Sequence, residues 1–217
     1  MGMEMIAKIR RFVIGKAGVS PITVRATATE SLAVAMVESE GTEMTRAGRR
    51  FFLGRNAAVT GIAPVAAQVT TAAQWVIWNA DSNKSYVIDH LGAVLVSGVA
   101  AAGAILDACL FQAPVSSGSS ATGMSVASAS NGGPSSRAIV TTNVTITGPT
   151  APVWFTVAKT DSTNTAVLSV SLVNYDLRGR IIIPPGQGLG LAVYSGTGTS
   201  PLFAPVACWN EIELDLE

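Results

Sequence analysis

Short apolar segments with a period of two dominate the chain from residue 75 onward, and this pattern constrains the fold most. In Val167–Val173, apolar residues alternate with Ser169 and Ser171, as they do in a strand with one buried face. Such regular alternation is typical of antiparallel sheets, which bury one face only. The pattern predicts strands at about 75–79, 86–97, 104–111, 138–146, 153–158, 166–173, 179–183, 189–194 and 206–216.

Clusters of Gly, Pro, Ser and Asn separate these segments. Ile183–Gly188 combines two prolines with two glycines and predicts a tight reversal. Segment 112–136 carries no charge, is rich in Ser, Gly and Ala, and is expected to be a long surface loop. About nine strands without a convincing helix predict an all-β, antiparallel, jelly-roll-like sandwich. An immunoglobulin-like sandwich is the alternative, although the Cys…Trp…Cys spacing that favours it is missing.

The amino-terminal part has a different composition. Residues 1–60 contain nine Lys and Arg against five Glu, a net charge of +4, whereas the remainder carries −4. Strand-like pieces occur at 22–26 and 50–53, and between them a helix at 28–39 competes with a strand at 31–37. We therefore predict an extended basic N-terminal arm over 1–56 and a β-sandwich domain over 57–217.

Charge is scarce over the whole chain. Only 13 % of the residues are charged, whereas about 25 % is usual for a soluble domain. A lone monomer relies on surface charge for solubility, so this composition predicts self-association. No signal peptide or membrane span is expected, and the arm lacks the dense basic clustering of a specific nucleic-acid binder.

Residue types that support catalysis or metal binding are few. The only histidine, His90, adjoins Asp89 on a predicted strand, where neighbouring side chains point to opposite faces, so a triad is disfavoured. Cys109 and Cys208 are expected to be buried thiols, with a disulfide as the alternative. The glycines of Gly186–Gly190 precede a strand rather than a helix and are interpreted as a turn. We expect no enzyme activity, no cofactor and no bound metal.

The candidate site is therefore an assembly surface. In the last predicted strand, Ile212, Leu214 and Leu216 would face inward, which leaves Trp209 on the face of Glu211 and Glu213. Either a bulge near Asn210 turns Trp209 into the core, or the ring packs against another subunit. The acids of this face are expected to pair with arginines of the arm. The predicted interface residues are Arg46, Arg49, Arg50, Arg55, Trp209, Glu211 and Glu213.

Residues 180–193, with Ile183–Gly188 between two apolar segments, and Ala207–Glu213 resemble the closing strands of viral and tailed-phage jelly-roll proteins of the tumour necrosis factor-like trimer type. The resemblance implies a structural, non-enzymatic virion component, such as a capsid decoration or coat subunit, assembled in the host cytoplasm. Its partners would be other copies of itself, as a homotrimer or a higher assembly, and a capsid or tail protein. The alternatives are a receptor- or carbohydrate-binding head of a phage tail, using loop 112–136 or 195–202, and a non-viral filament or coat subunit.

Overall fold

The structure is a computed structural model that describes residues 24–26, 32–34, 40–67, 69–99, 104–112, 119–146, 151–159, 173–195 and 199–213. The chain divides into two compact units, Met1–Met44 and Thr45–Glu217. In the first unit, β1 (Val24–Ala26) pairs antiparallel with β2 (Leu32–Val34), which confirms the strand alternative at these residues. A helix that the sequence did not predict, α1, spans Glu40–Arg46.

The second unit confirms the all-β, antiparallel sandwich. Its strands are β3 (Arg50–Arg55), β4 (Ala72–Asn79), β5 (Ser85–Val99), β6 (Ala104–Phe111), β7 (Ser119–Ser120), β8 (Met124–Ser128), β9 (Ala138–Thr145), β10 (Phe155–Lys159), β11 (Val173–Ile183), β12 (Gly188–Ser195) and β13 (Thr199–Ile212). One sheet has five strands in the order β11-β5-β13-β3-β8. The other has six, in the order β10-β6-β12-β4-β9-β7.

Most of the predicted strands coincide with observed ones. The strand-like piece predicted at 50–53 lies in β3. This strand pairs with β13 and β8 inside the five-stranded sheet, although it precedes the predicted domain boundary at residue 56. The predicted strand at 166–173 lies outside the described residues except for Val173, where β11 begins. The interpretation of Gly186–Gly190 as a turn is wrong from Gly188 onward, since β12 begins there, whereas the strand predicted at 189–194, which includes Gly190, is confirmed.

The expectation that residues 112–136 form one long loop is also wrong, because β7 and β8 lie within it. In β8 the partly buried Met124 and Val126 pack against the core, and Ser125 and Ala127 are exposed. The side chains that alternate are small and uncharged, so the period-two signal is weak. The strand is fixed by backbone pairing with β3, a partner about 70 residues away in the sequence.

The core between the two sheets is built around Trp209. Its ring stacks on those of Phe51 and Tyr86, with centroid separations of 6.4 and 5.9 Å. Trp209 lies in phase with the core residues Phe203 and Ala207 along β13, so the indole enters the core, as one of the two alternatives predicted. The predicted bulge near Asn210 is wrong, because the register shift lies between Cys208 and Trp209 and leaves the extra residue, Asp89, on β5. The strand order of a jelly roll and the arm remain predictions at this point.

Candidate functional site

A second apolar cluster lies on the outer face of the six-stranded sheet. Trp75 and Ile77 enter the core between the sheets, so Val76 and Trp78 point to the opposite face. There Val76 belongs to this second apolar cluster, against which the rings of Trp78 and Trp154 pack. The buried members of this cluster are Ala73, Val76, Cys109, Phe111, Val144 and Ile146.

One row of this face runs across four strands. Ile139 lies opposite Trp78, and Gly188 lies opposite both Trp78 and Phe111. The rings of Trp78 and Phe111 meet over the glycine, with centroids 5.9 Å apart. A Cβ at Gly188 would lie 2.8 Å from Phe111 Cε1 and 2.9 Å from Trp78 Cε3, so only glycine lets the two rings close over the strand.

The row reaches solvent at Ile139, which is 50 % exposed, and the rings of Trp78 and Trp154 are partly exposed beside it. Among the described residues of this face, the carboxylate of Asp107 is nearly buried and accepts a hydrogen bond of 2.8 Å from Thr156 Oγ1. Covering the exposed apolar side chains of this face with a second apolar surface would remove them from water, which lowers the free energy of the system. We call Ile139, Trp78, Phe111 and Trp154 the apolar face.

The arginines predicted to form an interface lie on the other sheet or before it. Arg50 is held within its own chain, because its Nη2 is 3.1 Å from Asp89 Oδ2 and its Nε donates to Cys208 Sγ at 3.2 Å. Asn210 Nδ2 donates to the same carboxylate at 3.0 Å. Arg46, Arg49 and Arg55 are exposed.

The acids at the end of β13 do not share one environment. Glu211 points into the sandwich with Trp209 and is only 2 % exposed, whereas Glu213 is exposed. The expectation that Ile212 faces inward and Glu211 outward is therefore wrong. Ala207 and Trp209 both belong to the core, so the unbroken alternation along β13 carries Glu211 inward as well.

Polar groups compensate the buried Glu211. Ser136 Oγ donates to its Oε1, Trp209 Nε1 lies 3.5 Å from the same oxygen, and Lys84 Nζ lies 3.9 Å from Oε2. Burial nevertheless raises the pKa of Glu211 above its ordinary value of 4.5. The pKa of Tyr86 is also raised, first by burial and then by the charge of Glu211. The sequence carried no signal for this cluster, because its members lie on three separate segments.

Replacing Glu211 by glutamine should change how stability depends on pH. The folded chain holds the Glu211 proton more tightly than the unfolded chain, so the wild-type free energy of unfolding falls as pH rises from 4.5 through the raised pKa. The Glu211→Gln chain lacks this contribution, and its stability relative to wild type should increase over that interval. Urea unfolding between pH 4 and pH 8 measures the difference. Glu213→Gln, at an exposed site, is the control, and equal pH profiles for the two variants would contradict the assignment.

The remaining candidate groups do not converge on a reactive site. Cys109 and Cys208 are both buried free thiols, as the sequence predicted. Burial raises the pKa of Cys109 to about 12 and also raises that of Cys208, so neither is poised to react as a thiolate. His90 pairs in register with Cys208 and Asp176, whereas Asp89 is bound to Arg50.

Two further features concern only the part of the chain that the structure describes. No group of three or more His, Cys, Asp or Glu side chains there is placed to hold a metal ion. No helix there has both the length and the apolar character needed to cross a membrane.

Comparisons of this chain with protein-family models, with curated proteins and with solved structures found no match.

Proposed function

We propose that this protein is a non-enzymatic structural subunit of a virus or phage particle, and that its copies associate through the apolar face and the basic arm. The observation that carries the proposal is the apolar face itself. Ile139 is half exposed on the face that carries the partly exposed Trp78 and Trp154, and the chain has few charges to keep it apart from its own copies. Single exposed apolar residues are ordinary, but a continuous apolar surface on a sheet is typical of an interaction site.

The strand order supports the jelly-roll form of this proposal. Eight strands divide equally between the sheets, with β3, β5, β11 and β13 in one sheet and β4, β6, β10 and β12 in the other. Along the chain these eight strands change sheets at every step except that from β6 to β10, which pair with each other. A sandwich of two such four-stranded sheets is the architecture common among viral capsid proteins. Three further strands lie between β6 and β10 in the sequence: β8 extends the five-stranded sheet, and β9 and β7 extend the six-stranded one.

Light scattering of the full chain tests the self-association. We expect a trimer or a larger closed assembly, and we expect Ile139→Glu to weaken it about a hundredfold, since burying an unpaired carboxylate costs about 3 kcal/mol. Ser135→Glu, which adds the same charge at an exposed loop residue, is the matched control. A wild-type chain that stays monomeric, or an Ile139→Glu chain that assembles like wild type, would refute the proposal.

A second candidate function is a carbohydrate-binding head. The partly exposed rings of Trp78 and Trp154 favour it, because aromatic faces on a flat sheet are suited to stacking against sugar rings. Binding of the isolated chain to immobilised glycans, lost in Trp78→Ala and retained in Ile139→Glu, would support this function over assembly.

A further inference from the structure

We infer that the irregular segment 177–180 closes β11, the longest edge strand among those that the structure describes, to strand addition, so that copies of the chain associate through faces rather than edges. The inference deepens the proposed function and rests on it for the reason why a closed edge would be useful, namely that copies of the chain associate through faces. The edge closure itself is a property of the single chain.

Four strands lie at the ends of the two described sheets. Three of them are short, since β7 has two residues and β8 and β10 have five each. The fourth, β11, has 11 residues. A long edge strand presents a row of unpaired N–H and C=O groups, which is a template for another strand, whereas very short edges offer little pairing. Among the described strands, β11 is therefore the edge at greatest risk of strand addition.

The pairing of β11 is interrupted at its middle. Asp176 lies opposite His90, and the next paired residue, Ile181, lies opposite Ile88. The four intervening residues, 177–180, thus face only Asp89 of β5. Such an insertion bends the strand and removes its outer N–H and C=O groups from a common line, so an incoming strand cannot pair along it.

Each part of the insertion has a distinct position. The side chain of Leu177 enters the core and is 5 % exposed, which anchors the segment from within. Arg178 and Gly179 then adopt left-handed conformations, with φ of 47° and 73°. The side chain of Arg178 is 80 % exposed, and Arg180 is exposed as well. A strand added at this edge would have to desolvate two guanidinium groups.

Arg178 is an unusual choice for its conformation. A left-handed backbone costs a residue with a side chain about 1–2 kcal/mol, and glycine or asparagine would adopt it more readily. The structure retains the arginine with a hydrogen bond of 2.8 Å from its Nε to Asp176 Oδ2. This bond lowers the pKa of Asp176, so the pair stays ionised over the neutral range. The strained residue, Arg178, thus places an exposed positive charge where the pairing of β11 with β5 is interrupted.

Deleting residues 177–179 from the full chain tests the inference. The deletion places Arg180 opposite Asp89 and restores a regular register between Asp176 and Ile181, but it also removes a core leucine. Leu177→Ala is the matched control, since it loses core packing and keeps the insertion. At equal concentration, we expect the deletion variant to form thioflavin-positive fibrils about tenfold faster than the control, as expected for a regular exposed edge.

A second pair of variants decides the matter if the deletion prevents folding. Arg178→Asn with Arg180→Thr removes both charges and keeps a residue that tolerates the left-handed backbone. Arg137→Asn with Lys159→Thr removes two exposed charges outside the arm and outside β11. Faster fibril formation in the first pair alone supports the inference. Equal rates for the two pairs, or a folded deletion variant that forms fibrils no faster than Leu177→Ala, overturn it. Soluble assemblies formed through the apolar face scatter light but do not bind thioflavin. Light scattering therefore tests the proposed function, and thioflavin binding tests the closure of the β11 edge.

Discussion

Replacing Gly123 by alanine should lower the free energy of unfolding by about 3 kcal/mol, from the combined costs of a left-handed alanine and an overpacked contact. Gly123 has a φ of 72°, and a Cβ built on it would lie 2.5 Å from the backbone carbon of Ala58. The two segments are also tied directly, because Asn56 N donates to Gly123 O at 2.9 Å. The contacted atoms are backbone atoms, which cannot move aside as a flexible side chain can. The segment around Gly123 therefore has to separate from residues 58 and 59.

Gly132→Ala is a close control for this prediction. Gly132 has a φ of 73°, but nothing lies within 4 Å of the position its Cβ would take. It should therefore cost only about 1 kcal/mol, the backbone strain alone. Chemical denaturation with linear extrapolation measures both variants. Equal losses for the two glycines would show that conformation alone, rather than the contact with residues 58 and 59, sets the requirement at Gly123.

Truncating Trp209 to alanine should be the most destabilising single change, at about 4 kcal/mol. The indole is fully buried between Phe51 and Tyr86, so its removal leaves a cavity between the two sheets. It also deletes the Nε1–H group 3.5 Å from the buried carboxylate of Glu211.

Two further variants serve as comparisons for Trp209→Ala. Trp209→Phe retains an aromatic ring and loses the indole N–H, so we expect a loss of about 1–2 kcal/mol. Trp154→Ala removes a partly exposed ring from the second cluster and should cost less than Trp209→Ala. Calorimetry of the three variants ranks these losses. A Trp209→Ala chain within 1 kcal/mol of wild type would mean that the core closes without this residue.

The proposed self-association through the apolar face and the proposed closure of the β11 edge address the same physical problem. The chain has few charges with which to keep its copies apart. The six-stranded sheet also carries apolar side chains on both of its faces. Uncontrolled pairing of edges would lead to fibres, whereas contact through one defined face limits growth. The irregular segment at Arg178 and the short strands at the other described edges favour the second outcome.

Part of the candidate site was visible in the sequence, and part was not. The charge deficit predicted a surface that needs a partner, but it did not indicate which one. Gly188 and Gly190 were interpreted as turn residues because glycine is common in turns; in the structure Gly188 leaves room for Trp78 and Phe111. Arg50 was expected to reach a neighbouring subunit, yet Asp89 and Cys208 of its own chain lie within bonding distance.

The sequence by itself determined the strands and the layered, antiparallel sandwich. Period-two alternation and turn residues are local signals, and the backbone geometry of a strand converts them directly into two unlike faces. The tertiary structure alone decided the phase of β13, the burial of Glu211, the strand β8 and the break in β11. Each of these depends on a partner many residues away in the chain, whether a ring that fills the core, a hydroxyl that solvates an acid or a backbone that completes a ladder, and local periodicity contains no information about such partners.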